Sequence, residues 1–489
     1  MTPSTAPFAA TSNHFDRFRA SLDRPDLIET LRAGVIGEGT NLLGPNGPKP
    51  LIYVDYVASG RALRQIEHFV IDEILPFYAN SHTEASFCGQ MMTQLRRQAR
   101  QIILKSCGGN DNYDVIFSGS GATAGINRLV SLLGVEADIR DGQIPLILVG
   151  PYEHHSNILP WRESGAEMIE IPEAAAGGPD LDVLQMALTA HQGRKIIGAF
   201  SAMSNVTGIV TNVKDVTRML KSYGAISVWD YAGGAPYLPI DLAGDADAQI
   251  DAIVASPHKF IGGPGASGIL IVRREVVETS KPTLSGGGTV KFVSPWAHDY
   301  SDDVIAREEA GTPNVIGDLR AALCFIVKDA IGQDYTTRRL EALRHRAETA
   351  WANVAGLHVL GHREAHRIPI FSFTTTAPDG TRIHQQLVTR MLSDLHGIQA
   401  RGGCACAGPY AHRLLGIDQT QSDALRADIL AGNEMEKPGW TRLGFSPLMT
   451  DAKADQIIEA VIKVTNSSCT ERAFYKVDES TARFSLEAA

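Results

Sequence analysis

The sequence predicts an α/β protein in which a large unit with a mostly parallel, seven-stranded sheet precedes a smaller α+β unit. Seven short apolar segments recur between residues 114 and 272, and amphipathic stretches such as "NVKDVTRMLKSYG" separate most of them. Apolar strands that alternate with helices are typical of a parallel sheet covered on both faces. After about residue 315, longer helical stretches lead into short strands. The strand candidates are "DVIFS", "PLILVG", "EMIEIP", "KIIGAFS", "AISVWD", "DAIVAS" and "SGILIV".

The change in pattern predicts three parts. Residues 1–50 are poor in helical signals and form an N-terminal arm, which can pack with the smaller unit. Residues 51–315 form the large unit and residues 316–489 the small C-terminal unit.

Composition limits the function classes. The 489 residues carry a net charge of −10, which does not favour nucleic acid or an anionic membrane as a partner. The apolar runs are too short to span a bilayer, and the N-terminus lacks the apolar core of a signal peptide. Six scattered cysteines, with no C-x-x-C pair, predict neither a disulfide scaffold nor a metal site. A cytoplasmic protein is the simplest expectation.

One lysine occupies an unusual place. Lys259, in "SPHKFIGGPG", follows an apolar strand and precedes a glycine-rich turn. Most lysines are solvated surface charges, but a partly desolvated lysine becomes a nucleophilic amine. A Schiff base with a carbonyl cofactor such as pyridoxal phosphate is the obvious use, and ligands gather at the carboxyl ends of strands in such sheets.

Pyridoxal phosphate also needs a phosphate cradle, an acid for the pyridine nitrogen and a ring-stacking partner. The turn "FSGSGATAGIN" offers free backbone N–H groups at a helix start, although any tight turn between a strand and a helix can look like this. Asp230 ends the strand "AISVWD", where a helix-capping aspartate is the alternative. His154, in "PYEHHSNILPW", follows another strand, and its imidazole can lie over a pyridine ring.

The order of "EHHSN..PW", "SNVTG", "DYA" and "SPHKF.GGPG" resembles the class V group of fold-type I pyridoxal phosphate enzymes, and most of all the group II cysteine desulfurases. The resemblance covers roughly residues 50–470. It implies that Lys259 is the Schiff-base lysine, that Asp230 pairs with the pyridinium, that His154 stacks on the ring and that Asn205 contacts the phenolic oxygen. It implies phosphate or near-phosphate contacts for Thr123, Ser256 and His258, and the turn "FSGSGATAGIN" itself offers the backbone of Gly121 and Ala122.

The same resemblance implies a homodimer with shared sites. The motif "GGGT", which ends at Thr289, reaches the phosphate of the neighbouring subunit in that family. Two departures concern the cofactor: Gly233 replaces the family's glutamine, and Ala122 stands where a threonine is usual.

The stretch "RGGCACAGPYAHRLLG" distinguishes between reactions. Cys406 lies five residues after Arg401, as the catalytic cysteine does in group II desulfurases, and the stretch also resembles that of molybdenum-cofactor sulfurases. A glycine-flanked thiol beside an arginine suits sulfur transfer, whereas most free cysteines are small core residues. Cys404 is a candidate relay. Arg442 matches the family's arginine for the substrate carboxylate, with Arg401 as a second candidate, and a longer insert separates Cys406 from Arg442.

The sequence thus predicts a pyridoxal phosphate enzyme that moves sulfur from cysteine to Cys406 as a persulfide, releases alanine and passes the sulfur to a protein or small-molecule acceptor. The alternative is a lyase, aminotransferase or epimerase of the same class in which the cysteines are incidental. A cofactor-binding scaffold without turnover is a third hypothesis, which the joint presence of Lys259, Asp230, His154 and Arg442 disfavours.

Overall fold

The computed structural model describes residues 14–45, 47–81, 83–404, 406–467 and 469–486, so residues 1–13 of the predicted arm and the last three residues of the predicted small unit lie outside the described residues. In the described part of the arm, Phe15, Phe18 and Leu31 are buried in the larger core. The first elements are α1 (His14–Leu22), α2 (Leu27–Gly34), β1 (Asn41–Gly44), β2 (Gly47–Pro50) and β3 (Ile52–Tyr53).

The large sheet has seven strands in the order β4-β10-β9-β8-β7-β5-β6. Only β10 runs against the other six, because it pairs in antiparallel fashion with both β4 and β9. The predicted seven-stranded, mostly parallel sheet is therefore confirmed. Its strands are β4 (Tyr113–Gly119), β5 (Leu146–Val149), β6 (Glu167–Glu170), β7 (Ile196–Ser201), β8 (Ile226–Asp230), β9 (Ala252–Ala255) and β10 (Gly268–Arg273).

Helices cover both faces of this sheet. Successive residues of a strand point to opposite faces, so in β5 Leu146 and Leu148 belong to one apolar core while Ile147 and Val149 belong to another. This burial on both faces explains why the strands are apolar throughout. The helices up to the start of the small unit are α3 (Arg64–Phe69), α4 (Phe87–Ser106), α5 (Gly121–Leu132), α6 (Val135–Arg140), α7 (Leu159–Glu163), α8 (Leu181–Ala190), α9 (Val213–Ser222), α10 (Val304–Glu308) and α11 (Val315–Ile331).

Helix α11 buries most of its length in the larger core. The predicted domain limits at residues 50 and 315 stay predictions. Between α9 and α11 the chain also forms a hairpin of β11 (Val290–Val293) and β12 (His298–Tyr300).

The C-terminal unit has its own apolar core around Trp351, Phe371 and Phe445. Its five-stranded sheet follows the order β13-β14-β18-β17, with β15 paired to β14. Strand β16 instead pairs in parallel with β3. The third strand of the chain is therefore bound to the C-terminal unit. The elements are α12 (Gln333–Trp351), β13 (Leu357–Val359), β14 (Ile370–Thr376), β15 (Arg382–Ile383), α13 (Gln385–His396), β16 (Ile398–Gln399), β17 (Arg401–Gly403), α14 (Gly408–Leu415), α15 (Gln419–Leu430), β18 (Trp440–Gly444), α16 (Asp451–Thr465), α17 (Cys469–Ala473), β19 (Tyr475–Asp478) and β20 (Arg483–Leu486).

This topology brings five loops to one edge. Strands β4, β5, β7, β8 and β9 run in the same direction, so the residues after each of them meet at the carboxyl edge of the sheet. Among the described residues, no helix combines the length and the apolar character that crossing a membrane requires.

Candidate active site

A cavity of about 250 Å³ opens at the carboxyl edge of the large sheet. Loops of the large unit form most of the cavity wall. The small unit contributes the rest, through residues of β17, of the turn before α14 and of β18. The predicted residues that line it are Gly121, Ala122, Thr123, His154, Asn205, Asp230, Ser256, His258, Lys259, Arg401, Cys406 and Arg442. The predicted Thr289 does not line the cavity of its own chain, and its service to a second subunit stays a prediction.

Lys259 ends a single helical turn, Pro257–Lys259, that directly follows β9. The turn is tight, because a Cβ on Gly263 would lie 2.1 Å from the carbonyl oxygen of Pro257. Desolvation lowers the pKa of the Lys259 amine to about 8, although the Asp230 carboxylate opposes the shift. About one tenth of this amine is therefore neutral and nucleophilic at pH 7, far more than for a lysine with the ordinary pKa.

Asp230 is the last residue of β8 and is only 5% exposed. Its Oδ1 accepts a hydrogen bond from the backbone N–H of Ala232 at 2.7 Å. Burial raises the pKa of this carboxyl, while the bond from Ala232 and the nearby Lys259 amine oppose the rise. A buried carboxylate beside a cavity is suited to a cationic ligand atom, which would compensate its charge.

The start of α5 forms a narrow cradle against Ser256 and His258, in the segment that leads to Lys259. Gly121 has φ +69°, and a Cβ there would lie 2.8 Å from the Ser256 hydroxyl oxygen and fill the cradle. The backbone N–H of Ala122 donates to that hydroxyl at 3.0 Å. The Thr123 hydroxyl lies 2.7 Å from the Ser156 hydroxyl. Hydroxyls and N–H groups at the start of a twelve-residue helix suit a phosphate group.

His154 presents a neutral ring to the cavity. Desolvation, followed by the charge of Lys259, lowers the pKa of His154 to about 4. Its Nδ1 accepts the backbone N–H of Ser156 at 3.1 Å, which leaves the proton on Nε2. The loop that carries His154 is bound to the end of β7, because the Glu153 carboxylate accepts hydrogen bonds from the N–H and the hydroxyl of Ser201 at 2.8 and 2.7 Å.

Cys406 is exposed and lies in the turn between β17 and α14. Its φ of +56° is unusual for a residue with a side chain. His155 holds the turn directly after the thiol: its N–H donates to the Cys406 carbonyl at 2.9 Å, and its Nε2 accepts the Gly408 N–H at 3.0 Å.

The residues around this turn are anchored to the large unit. Cys404 is partly buried against an apolar cluster that contains Tyr410. The Tyr410 hydroxyl donates to Glu173 at 3.2 Å, and Arg413 binds Glu170. Cys404 and Cys406 thus differ: the first packs against the protein and the second faces the cavity.

Two arginines complete the cavity. Arg442 is 4% exposed; its Nη1 donates to the Asn205 carbonyl and its Nη2 to the Asp55 carboxylate, both at 3.0 Å. Arg401 is half exposed and donates from Nε to the other oxygen of Asp55 at 2.8 Å. Desolvation lowers the pKa of Arg442, and Asp55 opposes the shift. Planar guanidinium groups here suit a carboxylate ligand.

Comparison with known proteins identifies the family. The aminotransferase class V model matches residues 52–438. The chain belongs to the aminotransferase class V family. Members of this family depend on pyridoxal phosphate, and the resemblance stated from the motifs is confirmed.

Relatives and solved structures agree with this membership. A probable cysteine desulfurase of Aeropyrum pernix is 27% identical over 376 residues, which cover 74% of this chain and 87% of the relative. One of Streptomyces coelicolor is 27% identical over 422 residues, covering 85% and 92%. The apo cysteine desulfurase of Thermococcus onnurineus has a TM-score of 0.72 at 23% identity, covering 89% and 98%. A cysteine desulfurase of Escherichia coli has a TM-score of 0.66 at 24% identity, covering 93% and 98%. The predicted fold-type I architecture is confirmed.

One departure from the class V pattern has a structural counterpart. Gly233 stands where the resembled desulfurases carry a glutamine. A Cβ at Gly233 would lie 3.2 Å from the methyl group of Met203, which also lines the cavity. Met203 therefore occupies space next to the position from which the glutamine would extend.

Sequence reasoning missed two residues of this class V site. Asp55 was not singled out. It comes two residues after the short apolar strand β3, and a carboxylate close to the end of an apolar strand, as Asp230 is at the end of β8, is a signal that could have found it. His155 was not singled out either. No local pattern signals that it holds the turn around Cys406, because the two residues are far apart in the sequence.

Proposed function

We propose that this class V enzyme is a pyridoxal phosphate-dependent cysteine desulfurase, which transfers the sulfur of L-cysteine to Cys406 and releases alanine. The observation that carries the proposal is that an exposed thiol and two arginines line the same cavity as Lys259, Asp230 and His154. The names of the relatives support it, since they are probable cysteine desulfurases.

The residues present fit the cofactor. The cradle at Gly121 excludes a side chain and offers Ser256 and Thr123 hydroxyls for the phosphate. Lys259 supplies a neutral amine for covalent attachment, and Asp230 supplies a buried carboxylate for the pyridine nitrogen. When bound, pyridoxal phosphate withdraws electrons from the carbon atoms of the amino acid and weakens its bonds to hydrogen and sulfur.

The protein's own groups divide the remaining work. Arg442 and Arg401 bind the α-carboxylate of the amino acid through charge-assisted hydrogen bonds. The neutral ring of His154 provides a flat surface for the cofactor without adding a positive charge. With a pKa of about 8, the Nζ atom of Lys259 can both accept and return a proton near neutral pH.

Sulfur transfer then follows from the position of Cys406. The thiolate of Cys406 attacks the sulfur of the substrate; an S–S bond forms and the C–S bond breaks. The electron pair of the broken bond goes to the substrate carbon, which takes up a proton. One cysteine and one thiol thus give one persulfide and one alanine, and no external oxidant or reductant is needed. Arg442 is close enough to Cys406 for the two side chains to interact electrostatically.

A panel of amino acids tests the proposal. The purified protein with bound cofactor is incubated with L-cysteine, L-alanine, L-serine and L-aspartate, and the products are identified by mass spectrometry. We expect alanine from cysteine, together with a mass increase of one sulfur atom on the peptide that contains Cys406. Keto acids, or the same products from the Cys406→Ser variant, would favour a class V aminotransferase or lyase instead.

Three accompanying features belong to the same proposal. The enzyme acts as a homodimer, in which Thr289 serves the partner's cofactor. It passes sulfur from the Cys406 persulfide to a protein or small-molecule acceptor, which the exposure of the turn supports. It works in the cytoplasm, where the free cysteines found among the described residues stay reduced.

A further inference from the structure

The Asp55 carboxylate binds both arginines of the cavity, one with each oxygen. Oδ1 accepts from Arg442 at 3.0 Å and Oδ2 accepts from Arg401 at 2.8 Å. The two arginines are direct partners across the antiparallel pair β17–β18, so their like charges would repel each other without an anion nearby. Asp55, whose side chain is 12% exposed, is that anion.

The backbone holds Asp55 in place independently of these ion pairs. Asp55 follows β3, which pairs with β16. The N–H of Val54 donates to the Gln399 carbonyl at 3.2 Å, and the N–H of Gly444 donates to the Val54 carbonyl at 2.7 Å. The chain before Asp55 is therefore bound both to the strand that precedes Arg401 and to the end of β18. Replacing the carboxylate leaves these backbone bonds intact.

The arrangement has a definite charge. Two guanidinium groups and one carboxylate leave one net positive charge at this wall of the cavity. One net charge matches a single α-carboxylate. It does not match a substrate with a second carboxylate on its side chain.

We propose that Asp55 is a positioning residue that fixes Arg442 and Arg401 and restricts the site to amino acids with one carboxylate. This inference rests on the proposed function, because it assumes that the cavity binds an amino acid. Without Asp55, the half-exposed Arg401 can turn towards solvent, and Arg442 keeps its bond to Asn205 as its one side-chain hydrogen bond to the described residues. The site then holds a carboxylate less firmly, and its additional positive charge favours dianions.

The test compares the Asp55→Asn variant with the wild-type protein, both with bound cofactor. Binding of alanine, aspartate and alaninamide is followed through the visible absorption of the cofactor. We expect the affinity for alanine to fall by about tenfold, because an orienting charged hydrogen bond is lost. Alaninamide, which has no carboxylate, changes little. The ratio of aspartate affinity to alanine affinity rises by about tenfold, as expected for one less negative charge near the site.

Two further variants control the result. Asp394→Asn removes a carboxylate of similar exposure, 11%, that pairs with Arg390 outside the cavity, and it leaves all three affinities unchanged. Arg401→Gln removes a positive charge instead, so the ratio of aspartate to alanine affinity falls. This second variant decides the question if Asp55→Asn does not fold or retain cofactor.

The outcomes separate this inference from the proposed function. Equal weakening of alanine and alaninamide, or an unchanged aspartate-to-alanine ratio, overturns the role of Asp55 while the proposed function stands. If the wild-type protein with bound cofactor responds to no amino acid, both fail. In an Arg442→Ala background, Asp55→Asn weakens alanine binding less than it does in the wild-type protein, because only Arg401 is then left for Asp55 to hold; an equal effect in both backgrounds would show that Asp55 does not act through Arg442.

Discussion

Two parts of the cavity wall are built in opposite ways. The proposed cofactor cradle lies at or shortly after the carboxyl ends of strands of one sheet, and the sheet's hydrogen bonds fix the positions of these strand ends. It is formed by Gly121–Thr123, His154, Asp230 and Ser256–Lys259. The thiol turn around Cys406 follows the three-residue strand β17 of another sheet and is held to the large unit by hydrogen bonds such as those of His155.

The difference suggests a division of tasks. A cofactor that stays bound through every turnover needs a fixed cradle. A thiol that first meets a substrate and then an external acceptor needs an exposed turn that a few hydrogen bonds can hold and release. If this comparison is correct, changes in the cradle should abolish all chemistry, whereas changes in the thiol turn should affect only sulfur transfer.

The largest effect is expected from Lys259→Ala. The variant loses the only described lysine that lines the cavity, and with it covalent attachment and the proton carrier. We expect turnover of cysteine to fall to the limit of detection, and borohydride treatment to leave no cofactor on the protein. Absorption spectra and mass spectrometry of the reduced protein measure this.

Lys328→Ala is the matched control. Burial also lowers the pKa of Lys328 to about 8, but this lysine donates to the Leu238 carbonyl and does not line the cavity. The Lys328→Ala variant should keep a cofactor that borohydride fixes to the protein. A Lys259→Ala protein that still carries borohydride-reducible cofactor would show that another amine is the attachment site.

Sequence could predict the cradle because its geometry follows from a general rule. Asp230 ends one apolar strand and Lys259 closely follows another, and the carboxyl ends of parallel strands meet at one edge. The bridge from Asp55 to both arginines was not predictable in this way. It depends on the strand register that places Arg401 of β17 opposite Arg442 of β18. Helices α14 and α15 lie between these two strands in the chain. A single sequence does not reveal the register of antiparallel strands that are so far apart.

The next largest effect, confined to sulfur transfer, is expected from Cys406→Ser. A hydroxyl is not appreciably ionised near neutral pH and attacks sulfur poorly, so persulfide formation and alanine release should collapse. Binding of cysteine, seen in the visible spectrum, should persist because the cradle is unchanged. Persulfide labelling and alanine quantification measure the two effects separately.

Cys404→Ser tests whether position within the turn matters. Cys404 is partly buried against the apolar cluster with Tyr410, so its replacement should reduce sulfur transfer less than that of Cys406. Wild-type turnover by Cys406→Ser would exclude sulfur transfer through Cys406. The thiol turn would then be incidental to the chemistry, as in the aminotransferase and lyase alternatives.

A moderate effect is expected from His155→Ala. The variant loses the Nε2 atom that accepts the Gly408 N–H, while the backbone bond to the Cys406 carbonyl remains. One lost hydrogen bond of about 1 kcal/mol should loosen the turn and raise the rate of Cys406 alkylation by about fivefold. Timed alkylation with mass spectrometry measures this. Replacement of the exposed His358 by alanine should leave the rate unchanged, and an unchanged rate in His155→Ala would show that this bond does not hold the turn.

The smallest effect is a shift along the pH axis, which sharpens the description of the cradle. In the proposed function only the neutral amine of Lys259 attaches the cofactor, and desolvation lowers the pKa of this amine from 10.5 to about 8. The rate of attachment to cofactor-free protein should therefore rise with pH and reach half of its maximum near pH 8, as stopped-flow absorption can record.

The Asp230 carboxylate raises the pKa of Lys259 and Arg442 lowers it, so Arg442→Gln should move the midpoint upwards. Attachment to a free lysine derivative, mixed under the same conditions, corrects for titration of the cofactor itself. A midpoint near that of the free derivative would mean that water reaches the Lys259 amine and that the cradle is as open as the thiol turn.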